Sequence, residues 1–155
     1  MKLLLADDSE SLLKLVHTIF KDKDVRVKTV KDGEEAIKSI KKESPDIIIA
    51  DTNMPKLNGY DLCKKIKKSK HYSRLPICLL HSEFDDFDFE SFRSSGADDQ
   101  LTKPFNAKDI LNKVVELSCL IEKKKVKPII YDNAHIIVIN PYEKYQIATV
   151  SKVIN

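Results

Sequence analysis

No apolar run approaches the roughly 20 residues that cross a bilayer, and the short N-terminal apolar stretch meets Asp7 and Asp8 at once. Neither a membrane span nor a secretion signal is expected. Cysteine is scarce: Cys63, Cys78 and Cys119 are odd in number, widely spaced and outside any CxxC or Cys/His cluster. That pattern argues against a thiolate metal centre and for reduced packing residues in a cytoplasmic protein. An excess of one charge is missing as well, because residues 121–155, with six Lys and three acids, supply the whole net charge of +3. Residues 1–120 balance at 21 against 21. A balanced domain lacks the concentrated basic face that nucleic acid needs, so neither nucleic acid nor membrane is an expected partner. At 155 residues and 42% hydrophobic content, one well-buried core is expected rather than two.

What is present is an alternation of short apolar runs and helical patterns. Lys2 to Ala6 is a continuous apolar run halted by two acids, which suits a strand buried on both faces. Leu12, Leu13, Val16, Ile19 and Phe20 then fall at helical spacing after a Ser/Asp cluster able to cap a helix. Val25 to Val30 reads as a second strand, Lys31-Asp32-Gly33 as turn chemistry, and Ala36, Ile37 and Ile40 as a second helix that Pro45 breaks. Ile47 to Ala50 is a third strand, closed by Asp51. Beyond a loop with Pro55 and Gly59, Leu62, Cys63 and Ile66 mark a third helix whose Lys64, Lys65, Lys67 and Lys68 form a solvated face.

Ile77 to Leu80 follows as the fourth strand, ending in His81-Ser82. The acidic, Phe-containing stretch Phe84 to Phe92 predicts a short helix, Asp99 to Thr102 a fifth strand, and Ala107 to Ile121 a last helix. Five strands alternating with five helices argue for a doubly wound α/β fold with a five-stranded parallel sheet.

In such a fold, ligands bind outside the carboxyl ends of the strands. Asp7 and Asp8 end the first strand, Asp51 the third, His81 and Ser82 the fourth, and Lys103 the fifth, so these residues converge on one rim. Three carboxylates together raise one another's pKa and call for a bound cation or a protonated partner. An all-oxygen ligand set with room for water favours Mg2+ over Ca2+. A lysine opposite them is what the oxygens of a phosphoryl group need. Taken singly, Asp7-Asp8 as a helix cap and Lys103 as a surface residue would be ordinary; their joint placement is not.

Over residues 1–120 the sequence resembles the receiver domain of two-component response regulators, with motifs in the order of the single-domain chemotaxis regulator. Asp7-Asp8, the Asp51-Thr52-Asn53-Met54-Pro55 segment with Gly59, and Lys103-Pro104-Phe105 carry the resemblance. It implies a flavodoxin-like strand order of 2-1-3-4-5, with Asp51 as phosphoacceptor. It further implies Mg2+ held by Asp7, Asp8, Asp51 and the Asn53 backbone carbonyl, and Lys103 in contact with the phosphoryl group, followed by a cis proline. The implied donor is a sensor histidine kinase, a phosphotransfer protein or a small acyl phosphate, and the output is binding to a downstream protein. No separate substrate is expected. A Mg2+-dependent phosphatase would place a second acid where Asn53 stands.

Two positions depart from the family pattern. His81 stands where a Thr or Ser usually senses the phosphoryl group, with Ser82 beside it, and Gln100 replaces a customary aromatic three residues before the lysine. These are the positions whose coupled movement reports phosphorylation in similar domains. The alternative reading is therefore a pseudo-receiver, a scaffold module that works without phosphorylation.

After the receiver at 1–121, residues 122–128 read as a basic linker and 129–155 as a β-rich extension of two or three strands, with turns at Asp132-Asn133 and Asn140-Pro141. The extension is too short for a winged-helix output domain. It carries Tyr131, Tyr142 and Tyr145, and an isolated hairpin is marginal in water, so covering the receiver, pairing with a second copy as a homodimer, or joining a partner are its expected uses.

Overall fold

A computed structural model describes residues 1–84, 86–125, 129–131 and 135–137, with side chains described up to residue 121. The expected third strand near Tyr145–Val153, both turns of the extension and Tyr142 lie outside the described residues. The chain divides into two compact units, 1–121 and 122–155.

In the first unit β1 (Lys2–Ala6), β2 (Arg26–Val30), β3 (Ile47–Asp51), β4 (Ile77–Ser82) and β5 (Asp99–Lys103) alternate with α1 (Glu10–Phe20), α2 (Gly33–Glu43), α3 (Gly59–Lys68), α4 (Phe89–Ser95) and α5 (Ala107–Lys125). The strands form one parallel sheet in the order β2-β1-β3-β4-β5. This is the expected doubly wound, flavodoxin-like arrangement. The middle strands β3 and β4 are apolar up to their carboxyl ends because helices cover both faces. On one face Leu4, Ala6, Ile48, Ala50, Ile77 and Leu79 pack with Ala36 and Ile40 of α2 and Leu62, Cys63 and Ile66 of α3. On the other, Leu3, Leu5, Ile47, Ile49, Cys78 and Leu80 meet Leu13, Val16 and Phe20 of α1 and Ile110, Val114 and Leu117 of α5. A side chain's parity along its strand thus decides which helical layer it joins.

Local chemistry sets where helices begin and end. Ser9, Asp32, Asn58 and Asp88 each cap a helix by accepting a backbone N–H three residues on. Ser44, at φ 47°, ends α2 just before Pro45, and Gly96, at φ 76°, ends α4.

Two elements differ from expectation. Residues 84 and 86–88 are not helical: α4 starts at Phe89, because the Asp88 carboxylate accepts the Ser91 N–H at 2.8 Å and so fixes the cap there. At the other end α5 runs to Lys125, past the expected end at Ile121, so the first part of the Lys-rich linker is helical backbone. Glu122 to Lys125 are good helix formers, and no proline intervenes before Pro128. In the second unit, Ile129–Tyr131 and His135–Ile137 form an antiparallel pair.

Candidate functional site at the carboxyl rim of the sheet

The strand order reverses beside β1, so the loops after β1 and β3 diverge and leave an opening at their carboxyl ends. Asp7 and Asp8 follow β1, Asp51 closes β3 and Lys103 closes β5. Asp7 and Asp51 share the parity of the residues facing α1 and α5, as does Lys103 across the sheet, which aims these side chains at one another. Lys103 Nζ lies 2.8 Å from Asp51 Oδ1 and 3.3 Å from Asp7 Oδ2. One carboxylate oxygen from each of Asp7, Asp8 and Asp51 lies within 4.8 Å of the others. Asp7 is fully buried and Asp51 is 4% exposed, whereas Asp8 faces solvent. Ser9 N–H donates to Asp7 Oδ1 at 2.8 Å and fixes that carboxylate at the start of α1.

Three carboxylates facing one ammonium leave the rim with surplus negative charge. Burial, which Lys103 opposes and Asp7 and Asp8 reinforce, pushes the Asp51 carboxyl above its usual value. Burial disfavours the Lys103 charge, yet Asp51 and Asp7 outweigh it and hold the ammonium above its ordinary value. An oxygen-only cluster with one exposed member suits a hard divalent cation that keeps part of its water shell.

The remaining sequence-predicted residues divide. Asn53 stands exposed two residues after Asp51 in the loop before α3. Ser82 shares the parity of Lys103 and is its register partner, but its Oγ accepts the Phe84 N–H at 3.1 Å. His81 has the opposite parity: its Nε2 is 3.0 Å from Thr102 Oγ1, and its ring packs on Phe87 at 4.6 Å. Gln100 is exposed, pairs in register with Leu79 and lies on the same face as His81 and Thr102. The Lys103–Pro104 peptide is cis.

Two contacts carry no signal in the sequence. Thr102 as the partner of His81 follows only from the β4–β5 register. Lys56, an unremarkable loop lysine, reaches the carboxylate of Asp32, a residue expected only as part of the turn before α2 and found to cap that helix.

Residues 3–115 match the family model of the response regulator receiver domain. The chain belongs to this family. The alkaline phosphatase synthesis transcriptional regulatory protein PhoP of Bacillus subtilis is 37% identical over 109 residues, 70% of this chain and 45% of PhoP. Protein PilG of Pseudomonas aeruginosa is 33% identical over 114 residues, 74% of this chain and 84% of PilG. The chain thus spans less than half the length of PhoP. Among solved structures, the chemotaxis response regulator CheY4 of Vibrio cholerae superposes with a TM-score of 0.70 at 32% identity, covering 75% of this chain and 97% of CheY4. The receiver domain of the sensor histidine kinase PA1611 of Pseudomonas aeruginosa, determined with a magnesium ion in its active-site cleft, gives 0.68 at 27% identity, covering 78% and 97%. Among the described residues of this receiver, no helix is long and apolar enough to cross a membrane.

Proposed function

We propose that this receiver accepts a phosphoryl group on Asp51 and serves as a two-component signalling switch. The observation that carries the reading is the buried Asp51 carboxylate, with Lys103 Nζ at 2.8 Å and the Asp7 and Asp8 carboxylates beside it. Asp7, Asp8, Asp51 and the Asn53 backbone carbonyl would hold Mg2+. When bound, the ion neutralises the acids and polarises the transferred phosphoryl oxygens.

An ionised Asp51 oxygen attacks the phosphorus of a kinase or phosphotransfer phosphohistidine, or of a small acyl phosphate, on the side opposite the leaving group. The new O–P bond forms as the N–P bond to imidazole, or the O–P bond to the carboxylate, breaks. Lys103, held by Asp51 and Asp7, contacts the phosphoryl oxygens and offsets their charge. Water attack at phosphorus later releases inorganic phosphate and restores the carboxylate. The domain is thus its own substrate rather than an enzyme with a separate one.

His81, Ser82 and Gln100 are the candidate sensors of that state. His81 is already engaged by Thr102 and Phe87, which favours a second reading in which phosphorylation is accepted but weakly relayed, leaving a pseudo-receiver that binds its partner in either state. The extension at 129–155, beyond a basic linker, then becomes the place for a homodimer or a downstream protein contact. Titration with beryllofluoride and Mg2+, followed by amide spectra, tests both readings. Shifts confined to the loops after β1, β3 and β5 support acceptance without relay, shifts reaching α4 support a full switch, and no shifts exclude phosphoryl acceptance, leaving a scaffold that works without phosphorylation.

A further inference from the structure

The loop between Asp51 and α3 is seated at two points. Near Asp51, Gly59 N–H donates to the Thr52 carbonyl at 3.2 Å, and a Cβ on Gly59 would fall 2.2 Å from the Asp51 carbonyl oxygen. Farther out, Leu57 lies so close to the first residue of α2 that a Cβ on Gly33 would fall 2.2 Å from its carbonyl oxygen. Between these points Lys56 adopts φ 64°, a backbone region that side chains with a Cβ avoid. Its ammonium reaches Asp32 Oδ2 at 2.5 Å, while Asp32 Oδ1 accepts the Glu35 N–H at 2.8 Å and caps α2. Asp32 is 4% exposed, whereas the Lys56 side chain is largely in water. An arrangement with one buried, twice-bonded carboxylate is not an ordinary surface pair.

We infer that Lys56 and Asp32 are positioning residues for the phosphoacceptor site: their ion pair clamps the loop after β3 onto the start of α2 and so fixes Asn53 beside Asp51. The inference rests on the reading of Asp7, Asp8, Asp51 and the Asn53 carbonyl as the Mg2+ site. Lys56 touches neither metal nor phosphoryl group. It acts by holding in place the two residues, Met54 and Pro55, that separate it from Asn53. Lys56 holds the Asp32 carboxyl below its usual value, with help from the Glu35 backbone N–H, so the pair stays charged across the neutral range.

The test uses the full chain as wild type, Lys56→Met, Lys56→Arg, Asp32→Asn and the double variant Lys56→Met/Asp32→Asn. Lys28→Met, which breaks the exposed Lys28–Glu43 pair, controls for the lost positive charge. Asp32→Asn keeps a capping oxygen and removes only the ionic partner. Met at 56 carries the same backbone cost as Lys, so any difference belongs to the ammonium. Two readouts apply: hydrogen exchange at the amides of residues 53, 54 and 56–58 without metal, and the Mg2+ Kd from amide-shift titration.

Lys56→Met and Asp32→Asn are expected to speed exchange in that loop and to raise the Mg2+ Kd about tenfold, the effect of losing one charge-assisted hydrogen bond. The double variant should be no worse than either single one, since both remove the same contact. Lys56→Arg should restore both readouts, and labelling by acetyl phosphate at saturating Mg2+ should stay near wild type, because only the metal-free loop is loosened. Unchanged exchange and Kd in Lys56→Met, failure of Lys56→Arg to rescue, or an equal loss in Lys28→Met would overturn the clamp. Wild type that binds no Mg2+ overturns the site reading itself, a result distinct from a clamp that fails in a wild type that does bind.

Discussion

Replacing Asp51 with Asn is expected to make the metal-free protein more stable at neutral pH. Asp7 and Asp8 oxygens lie up to 4.8 Å from the Asp51 carboxylate, and at an effective dielectric near 20 each repels it by about 3.5 kcal/mol. Lys103 at 2.8 Å returns about 6 kcal/mol on the same scale. These nearly cancel. Desolvation of a carboxylate that is 4% exposed then decides the sign, and it disfavours the charged form. Asn has similar volume and can donate its amide to the neighbouring carboxylates, so a net gain of about 1–3 kcal/mol is expected. For a chain of this size, that is a rise of roughly 2–4 °C in Tm per kcal/mol.

The pH dependence follows from the raised Asp51 pKa. Between the unfolded and folded values the native state binds the extra proton, so wild-type stability falls as pH rises through that window. The advantage of Asp51→Asn should therefore shrink on acidification towards pH 4, about the ordinary Asp value. Thermal unfolding in chelator measures the difference, and adding Mg2+ should raise wild-type Tm more than that of the variant. A metal-free Asp51→Asn protein less stable than wild type at pH 7 would refute this reasoning, because the Lys103 attraction would then outweigh desolvation and repulsion together.

Further outcomes follow from other contacts. Gly59→Ala gains about 1 kcal/mol of helix propensity but meets the Asp51 carbonyl oxygen at 2.2 Å, so a net loss of about 2 kcal/mol is expected in denaturant unfolding. Lys103→Met leaves Asp7 and Asp51 facing each other without an ammonium and should cost about 3 kcal/mol in metal-free protein at neutral pH, less as the pH falls. Cys63 and Cys78 are buried, and burial pushes the Cys63 thiol up to about 11 and the Cys78 thiol higher still, so Cys119 should be the first to react with a thiol reagent in native protein. His81→Thr removes the ring from Phe87 and should extend beryllofluoride-induced shifts towards α4 while leaving binding near wild type.

Much of this was legible in the sequence because the signals are local. Apolar runs such as Ile47 to Ala50 announce buried strands, and an acid or lysine at a strand's end must lie on the carboxyl rim once the sheet is parallel. Asp7, Asp8, Asp51 and Lys103 all follow that rule and meet on the rim. The start of α4 was less legible. Apolar spacing in Phe84 to Phe92 suits a helix, but the cap at Asp88 and the seat of Phe87 on His81 decide where it begins. Lys56 was not legible, because its partner Asp32 is 24 residues away and only packing of the loop on α2 brings them together. The engagement of His81 by Thr102 likewise depends on strand register, which composition does not encode.

The most direct test of the phosphoacceptor assignment is the intact mass of the full chain after incubation with acetyl phosphate and Mg2+, for wild type and Asp51→Asn in parallel. The account predicts a gain of one phosphoryl group in wild type, its loss on hydroxylamine treatment and no gain in the variant. An unlabelled wild type, or equal labelling of Asp51→Asn, would contradict it.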